Sequence, residues 1–400
     1  MPIYAGVGIS TNKDYKSAIT EAFSQAKTNL KQKEISLAVI FTSPDFAFAY
    51  LLKVISNLIG TNIPILGATS NAILTQEGIY NHGIALTLLS TKEAYFNTAR
   101  VMNVLSDLDS SGDNLGKQLL FGMKEARRCF CLFFTDGGII DNLPILRGLQ
   151  QRLGLSFPII GATTASSNIQ INKTYQFFNQ EVLNNSIAGL LWAGKVNFGL
   201  GIRHGWKPIG KPHRISSSDK FIIKEIENKP AVSLYQDYFA KDIPALKREL
   251  FRISCLYPIG INISGEEEYL LRNILSIEDD GSLSCRGDVP VDSQVRLMIA
   301  TKESALSATE EAAKQAKQTL EIQAFPRQKS ANIIFVFNSV SRLYLLGRKI
   351  TEELEIIKSH FPGTPIIGLC TFGEQAPLKA TDFAGKTYCH NQTITILAMS

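Results

Sequence analysis

One heptapeptide is written three times in this chain, and any fold it adopts has to accommodate the repetition. PILGATS stands at 64–70, PIIGATT at 158–164 and PIIGLCT at 365–371. Each copy is preceded, with room for one helix between, by a short apolar run: LAVIFTSPD from Leu37, CFCLFFTDG from Cys129 and NIIFVFNSV from Asn332. Runs of that length, rich in Ile, Val and Phe and closed by small polar residues, read as strands buried on both faces, as in a parallel sheet. Strand, helix and PIhG strand (h apolar) then form a βαβ unit.

The self-similarity extends beyond the motif. Ahead of the three units lie IYAGVGIS, FNTARVMNV and VRLMIA, each followed by a helical stretch, and behind them lie GIALTLLS, SIAGLLWAG and TITILAMS. A period of this kind points to one architecture built several times. The expected fold is α/β: three repeated β-α-β-α-β-β units in mostly parallel or mixed sheets with flanking helices. The first two copies are 94 residues apart and the last two 207, so an insertion falls at roughly 196–292. Its texture is Gly- and Pro-rich, then helical, then a meander turning at Asp280-Gly281. Two domains follow, 1–197 with two units and 198–400 with the β-rich segment and the third. TYQFFNQEVLNNSIAGLLWAG reads as two strands of a hairpin turning near Asn184-Asn185.

Composition narrows the function classes. A 400-residue chain with 45% hydrophobic and 19% charged residues has an ordinary globular balance. The net charge of +5 is spread over 41 basic and 36 acidic residues without like-charge runs, which argues against a nucleic-acid-binding tract. The longest apolar runs are strand-length, far short of the roughly 20 residues of a membrane-spanning helix. MPIYAGVGIS carries no basic n-region, and none of the six cysteines is spaced C-x-x-C. The expectation is a reduced, cytoplasmic protein.

In open α/β sheets, ligands bind outside the carboxyl ends of the strands. Here those ends carry hydroxyls at Ser70, Thr164, Ser166 and Thr371, and carboxylates at Asp136 and Glu374. Hydroxyls orient a polar ligand, a carboxylate takes a cationic amine, and the planar fork of Arg272 suits a carboxylate. Turn formation by the same small polar residues is the plain structural alternative. Gly112 to Lys117 falls short of a phosphate-binding loop, GVGIS lacks the third Gly of a dinucleotide fingerprint, and no G-x-S-x-G elbow occurs. The five histidines show no zinc spacing, whereas haem needs only one proximal His. His204, between Arg203 and Gly205-Trp206, is the candidate for that role.

Taken together, the PIhG loops, TYQFFNQEVLNNSIAGLLWAG, RHGWKPIG at 203–210, YLLRNILSIEDDGSLSCRGDVP at 269–290, RLMIA at 296–300 and GLCTFGEQ at 368–375 resemble the FIST family of sensory proteins over nearly the whole chain. The resemblance implies a cytoplasmic, non-catalytic module that binds small molecules such as amino acids and feeds a signalling partner. Some members resemble haem-binding nitric-oxide sensors that work with histidine kinases. Cofactor-free binding of a small polar metabolite is therefore the first expectation. Haem on His204 is the alternative, and an enzyme with Asp136 or Glu374 as general base the third. Where family members commonly carry a second Gly after PIIG, this chain has Ala68, Ala162 and Leu369, whose Cβ atoms are expected to narrow a ligand's approach to the backbone.

Overall fold

A computed structural model describes residues 3–46, 48–123, 126–166, 173–265, 268–324, 330–378 and 386–400. It is mixed α/β, with three repeated units and an inserted body. The first unit comprises β1 (Tyr4–Ser10), α1 (Tyr15–Asn29), β2 (Leu37–Thr42), α2 (Phe48–Ile59), β3 (Ile65–Thr69), β4 (Ile73–Thr75), β5 (Gly78–Tyr80) and β6 (Ile84–Ser90). The second comprises β7 (Ala94–Met102), α3 (Leu108–Leu120), β8 (Arg128–Thr135), α4 (Leu143–Leu153), β9 (Ile159–Thr164), β10 (Gln176–Phe178), β11 (Glu181–Leu183) and β12 (Ser186–Gly194). The third opens with β13 (Phe198–Arg203) and is then interrupted. The interruption is β14 (Lys207–Asp219), β15 (Ile222–Ile226), β16 (Lys229–Pro230), α5 (Ser233–Phe239), α6 (Ile243–Arg248), α7 (Leu250–Leu256), β17 (Ile259–Ile261), β18 (Leu270–Arg272), β19 (Ile274–Ile277), β20 (Leu283–Cys285) and β21 (Gln294–Ile299). The third unit resumes with α8 (Lys302–Ala324), β22 (Ile333–Ser339), α9 (Val340–Leu346), α10 (Ile350–His360), β23 (Ile366–Pro377), β24 (Thr387–His390) and β25 (Ile394–Met399).

All three units share one strand order: first, last, second, third. It reads β1-β6-β2-β3, β7-β12-β8-β9 and β13-β25-β22-β23. The strand before each PIhG motif pairs parallel to it in every case.

This order corrects the expected first strand of the third unit. VRLMIA lies in β21, which pairs with β14 and β17 inside the inserted body. The true first strand is β13, so the insertion sits between strand and helix of the unit and not ahead of it. The physical reason is a close helix–strand approach. A Cβ built on Gly199 or Gly201 of β13 would lie 1.9 Å from Ala316 O or Ala312 O of α8. In the first unit, Gly6 and Gly8 of β1 meet Ala26 O and Ala22 O of α1 in the same way. Gly201→Val is accordingly expected to lower stability by about 1–3 kcal/mol through overpacking. An unchanged urea midpoint would contradict this packing.

The hairpin expected at Asn184-Asn185 also resolves differently. β10 and β11 turn at Asn179-Gln180, and Asn184-Asn185 leads into β12 in another sheet. Asn179 takes a positive φ of 55°, which Asn tolerates better than most residues.

The units exchange edges in a ring. β4 of the first unit pairs with β23 of the third, the far end of β23 pairs with β9 of the second, and β10 of the second pairs with β3 of the first. In each exchange a donated residue stands opposite the glycine of a PIhG motif: Leu74 opposite Gly368, Gln375 opposite Gly161, Phe177 opposite Gly67. The glycine itself is enforced by crowding, since a Cβ on Gly67 would lie 2.0 Å from Ile40 O.

The second and third units share one continuous sheet through β9 and β23, and the inner faces of all three units meet in one core. Phe41, Phe134 and Phe337 occupy the same register position in their units, and their rings stack edge-on at 5.6 and 6.1 Å. Ala68, Ala162 and Leu369 are fully buried in this shared core. Their Cβ atoms pack against neighbouring side chains, so the positions expected to narrow a ligand's approach fill the core. The outer faces pack on each unit's own helices, as Ala38 and Ile40 do on Ile19, Leu51 and Leu52. The inserted body has a separate core around Ile215, Ile223, Leu283 and Leu297.

Candidate functional site

The hydroxyls of Ser70, Thr164 and Thr371 are taken up by hydrogen bonds within the protein. Ser70 Oγ donates toward Cys370 O at 2.8 Å and Ala72 O at 2.7 Å, tying the first unit to the third. Thr164 donates to Thr135 O at 2.9 Å and accepts from Gln176 Nε2 at 3.1 Å. Thr371, the register partner of Thr164, bonds the Glu374 carboxylate. Ser166 is buried; residues 167–172 of the loop beyond it lie outside the described residues. Ser70, Thr164 and Thr371 are all fully buried; the Ser70 bond crosses between units, whereas those of Thr164 and Thr371 stay within their own.

The charged candidates are placed with equal specificity. Asp136 makes a turn, accepting from Gly138 N and Asn185 N, each at 2.8 Å. Arg272 donates to the carbonyls of Asp288, Leu271 and Cys389, clamping the inserted body to the third unit. Glu374 is buried between Thr371 and Thr393. Burial pushes its carboxyl up to about 7, against the opposing pull of those hydrogen bonds. His204 Nδ1 accepts from Trp206 N at 2.8 Å, and its Nε2 lies 2.6 Å from Glu268 Oε2. An iron on His204 would have to displace one of these groups. Among the described residues no cluster of three or more His, Cys, Asp or Glu is placed to hold a metal.

A different set of residues meets where the second and third units touch the inserted body. Arg286, just past β20, reaches Ile139 O at 3.3 Å and Gly137 O at 3.5 Å in the turn after β8. Its guanidinium carbon lies 5.0 Å from the centre of the Phe372 ring. Phe372 sits at a shift in register between β23 and β9, a bulge between Thr371 and Gly373. Bulges re-aim side chains in this way. The guanidinium is partly buried, and burial draws it down to about 10, which leaves it charged at neutral pH. No carboxylate among the described residues pairs with it.

Polar atoms nearby are also left over. The amides of Asn142 and Gln375 both donate to Thr163 Oγ1, at 3.0 and 3.2 Å. Their oxygens are buried with no hydrogen-bond partner among the described residues. Buried polar atoms in folded proteins are nearly always satisfied, so two orphaned acceptors beside one site suit a ligand's N–H groups. Asp141 and Asp288 couple to Arg272, and Asp288 also to Arg147, instead of Arg286: burial and then Asp141 push the Asp288 carboxyl up, while Arg272 and Arg147 pull it down. A larger cleft of about 770 Å³ runs between β1 and the α10–β23 turn, but its Glu355 and Lys358 neutralise one another.

Sequence reasoning passed over Arg286, Phe372, Asn142 and Gln375. Arg286 stands in CRGDVP and Gln375 in GLCTFGEQ, both conspicuous segments, yet the bulge and the meeting of three elements leave no local mark.

With this geometry in place, comparison with known proteins assigns the lineage. Residues 36–229 match the family model of the FIST N domain and residues 231–377 that of the FIST C domain. The chain belongs to the FIST family. FIST domains are sensory modules of signal transduction. The boundary between the two FIST models falls at β16, within the inserted body, so it does not follow the packed units. An uncharacterized protein of Methanocaldococcus jannaschii is 25% identical over 176 residues, 41% of this chain and 33% of that protein. The chain thus spans about a third of that relative's length. A solved chorismatase structure aligns over 99% of this FIST chain and 98% of its own, with 8% identity and a TM-score of 0.35. No helix among the described residues is long and apolar enough to cross a membrane.

Proposed function

We propose that this FIST protein senses a small polar metabolite bearing a carboxylate, with an α-amino acid as the leading class. The ligand binds where the second and third units meet the inserted body. The observation that carries this reading is Arg286, a partly buried cation lying over Phe372 without a carboxylate partner among the described residues. A desolvated, unpaired charge is costly unless something neutralises it, and a guanidinium prefers a carboxylate in its fork. Asp141 and Asp288 would favour an amine, and the free oxygens of Asn142 and Gln375 would accept its N–H groups.

The site joins two bodies, so a ligand held at once by Arg286 and by the strand ends favours the arrangement that brings them together. Only such differential affinity transmits a signal. The reading is of a binder that passes its output to a partner protein without turnover, since the strand-end hydroxyls are occupied in internal bonds.

The test is a thermal-shift and calorimetry screen against the proteinogenic amino acids and simple carboxylates. A true ligand at 100 times its Kd should add about 2.7 kcal/mol of stability. Arg286→Met should abolish that gain, leaving the unliganded protein folded. If no amino acid or carboxylate stabilises the protein, or if Arg286→Met binds as well as the parent, the reading fails.

A further inference from the structure

The carboxyl end of the first unit's sheet bears a second arrangement, independent of the junction. It lies where β1 and β2 end, at the topological place that the turn after β8 occupies in the second unit. There the turn contacts Arg286 of the inserted body. In the first unit the corresponding end opens instead into a pocket of about 360 Å³ lined by Lys13, Tyr15, Asp45, Phe46 and His82. That volume lies at the small end of ligand pockets, which run to roughly 300–1,000 Å³.

Its centre is an oriented Asp–His pair. Asp45 Oδ2 lies 2.6 Å from His82 Nδ1. In the neutral imidazole, a carboxylate in that position holds the proton on Nδ1 and leaves the lone pair on Nε2. Nε2 is buried and has no hydrogen-bond partner among the described residues. Phe46 stacks on the imidazole, with ring centres 5.0 Å apart and planes inclined by 18°, so the ring is fixed on one face. Asp45 is itself held ionised: burial raises its carboxyl, but the Ser43 hydroxyl, its own backbone and His82 together bring it below its ordinary value. Lys13 makes no ion pair among the described residues and stands at the rim as a cation.

The structure therefore offers the His82 Nε2 acceptor, one cation and two aromatic walls in a small pocket, beside the Asp45 carboxylate that His82 Nδ1 engages. We infer that this pocket is a binding site for a small hydroxy-carboxylate. Its hydroxyl donates to His82 Nε2, its carboxylate meets Lys13, and its carbon skeleton lies against Phe46 and Tyr15. A carboxylate without the hydroxyl leaves Nε2 unsatisfied, and a neutral alcohol leaves Lys13 without a partner, so both groups are needed for recognition.

The experiment uses the full chain with ¹⁵N-labelled histidine. Two-bond ¹H–¹⁵N spectra report the tautomer and hydrogen bonding of each ring, and His82→Gln identifies the His82 signals. Glycerate is titrated as the probe, with propionate as the analogue lacking hydroxyls. Glycerate should shift the His82 Nε2 resonance saturably, with propionate binding about tenfold more weakly, the cost of leaving one buried acceptor without its hydrogen bond. Lys13→Met and Asp45→Asn should each weaken glycerate by a similar factor. Absence of a saturable shift overturns the proposal, as does a shift that propionate reproduces or that survives Lys13→Met unchanged. Arg286→Met separates the two sites: undiminished glycerate binding in that variant supports this pocket, and lost binding assigns the ligand to the junction and overturns it.

Discussion

Glu353→Ala is expected to destabilise the protein by about 3–5 kcal/mol. Glu353 and Arg342 form an ion pair whose side chains are 1% and 0% exposed. Around the pair, Arg342 donates to His204 O at 2.6 Å and Ala305 O at 2.9 Å, and Thr309 Oγ1 donates to the carboxylate at 2.8 Å. Asn338 Nδ2 completes the set on the other carboxylate oxygen. One pair thus fastens α8, α9, α10, β22 and the end of β13, the elements on either side of the insertion. Removing the carboxylate strands a guanidinium with no solvent access, and that uncompensated charge is what costs. Replacing both partners together by Met and Leu should cost far less, because no charge is then left buried. Urea unfolding of the two variants checks this; a single variant no less stable than the double one would contradict it.

Glu374→Gln is expected to change the pH dependence of stability by about 3 kcal/mol between pH 8 and pH 4.5. Burial holds the Glu374 carboxyl at about 7, against 4.5 for a free glutamate. Between those values the folded chain keeps a proton that the unfolded chain has released, so stability from this group grows as pH falls through 7 and is complete below 4.5. His390 works in the opposite sense. Burial lowers it to about 4, with its Nε2 2.9 Å from Ala376 O. The unfolded chain takes up that proton first, so the His390 contribution is lost as pH falls from 6.5 towards 4. In the parent protein the two slopes oppose one another. Glutamine retains the acceptor for Thr393 N–H without the titration, and so leaves the His390 loss uncompensated. Chemical denaturation at pH 8, 6 and 5 should show the variant gaining on the parent at high pH and falling behind it at low pH. Parallel profiles would place the Glu374 titration elsewhere.

Much of the architecture could be read from the chain because it depends on local pattern. Three PIhG motifs and their apolar neighbours specify strands buried on both faces, and helices of the right length lie between them. The paired glycines of GVG and GLG mark the strands that a helix crosses closely, and they carried enough information to place β13 as the third unit's opening strand. VRLMIA competed with it because an apolar run reads the same in any sheet. Apolar periodicity says that a strand is buried and not against what.

The site was less legible for a related reason. Ser70, Thr164 and Thr371 had the right chemistry for a ligand, but the fold gave each of them a protein partner, across units for Ser70 and within its own unit for Thr164 and Thr371. Asp136 was equally able to grip an amine or close a turn, and Asn185 N–H decided the matter. Arg272 donates to three backbone carbonyls at 2.9–3.1 Å, whereas Arg286 has longer contacts with two carbonyls and lies over Phe372 without a carboxylate among the described residues. The sequence by itself determined the repeat, the strand ends and the position of the insertion to within one strand. Only the tertiary structure decided which polar groups are satisfied and which are left over, because a hydrogen-bond partner is supplied by whatever the fold brings within 3 Å, however distant along the chain.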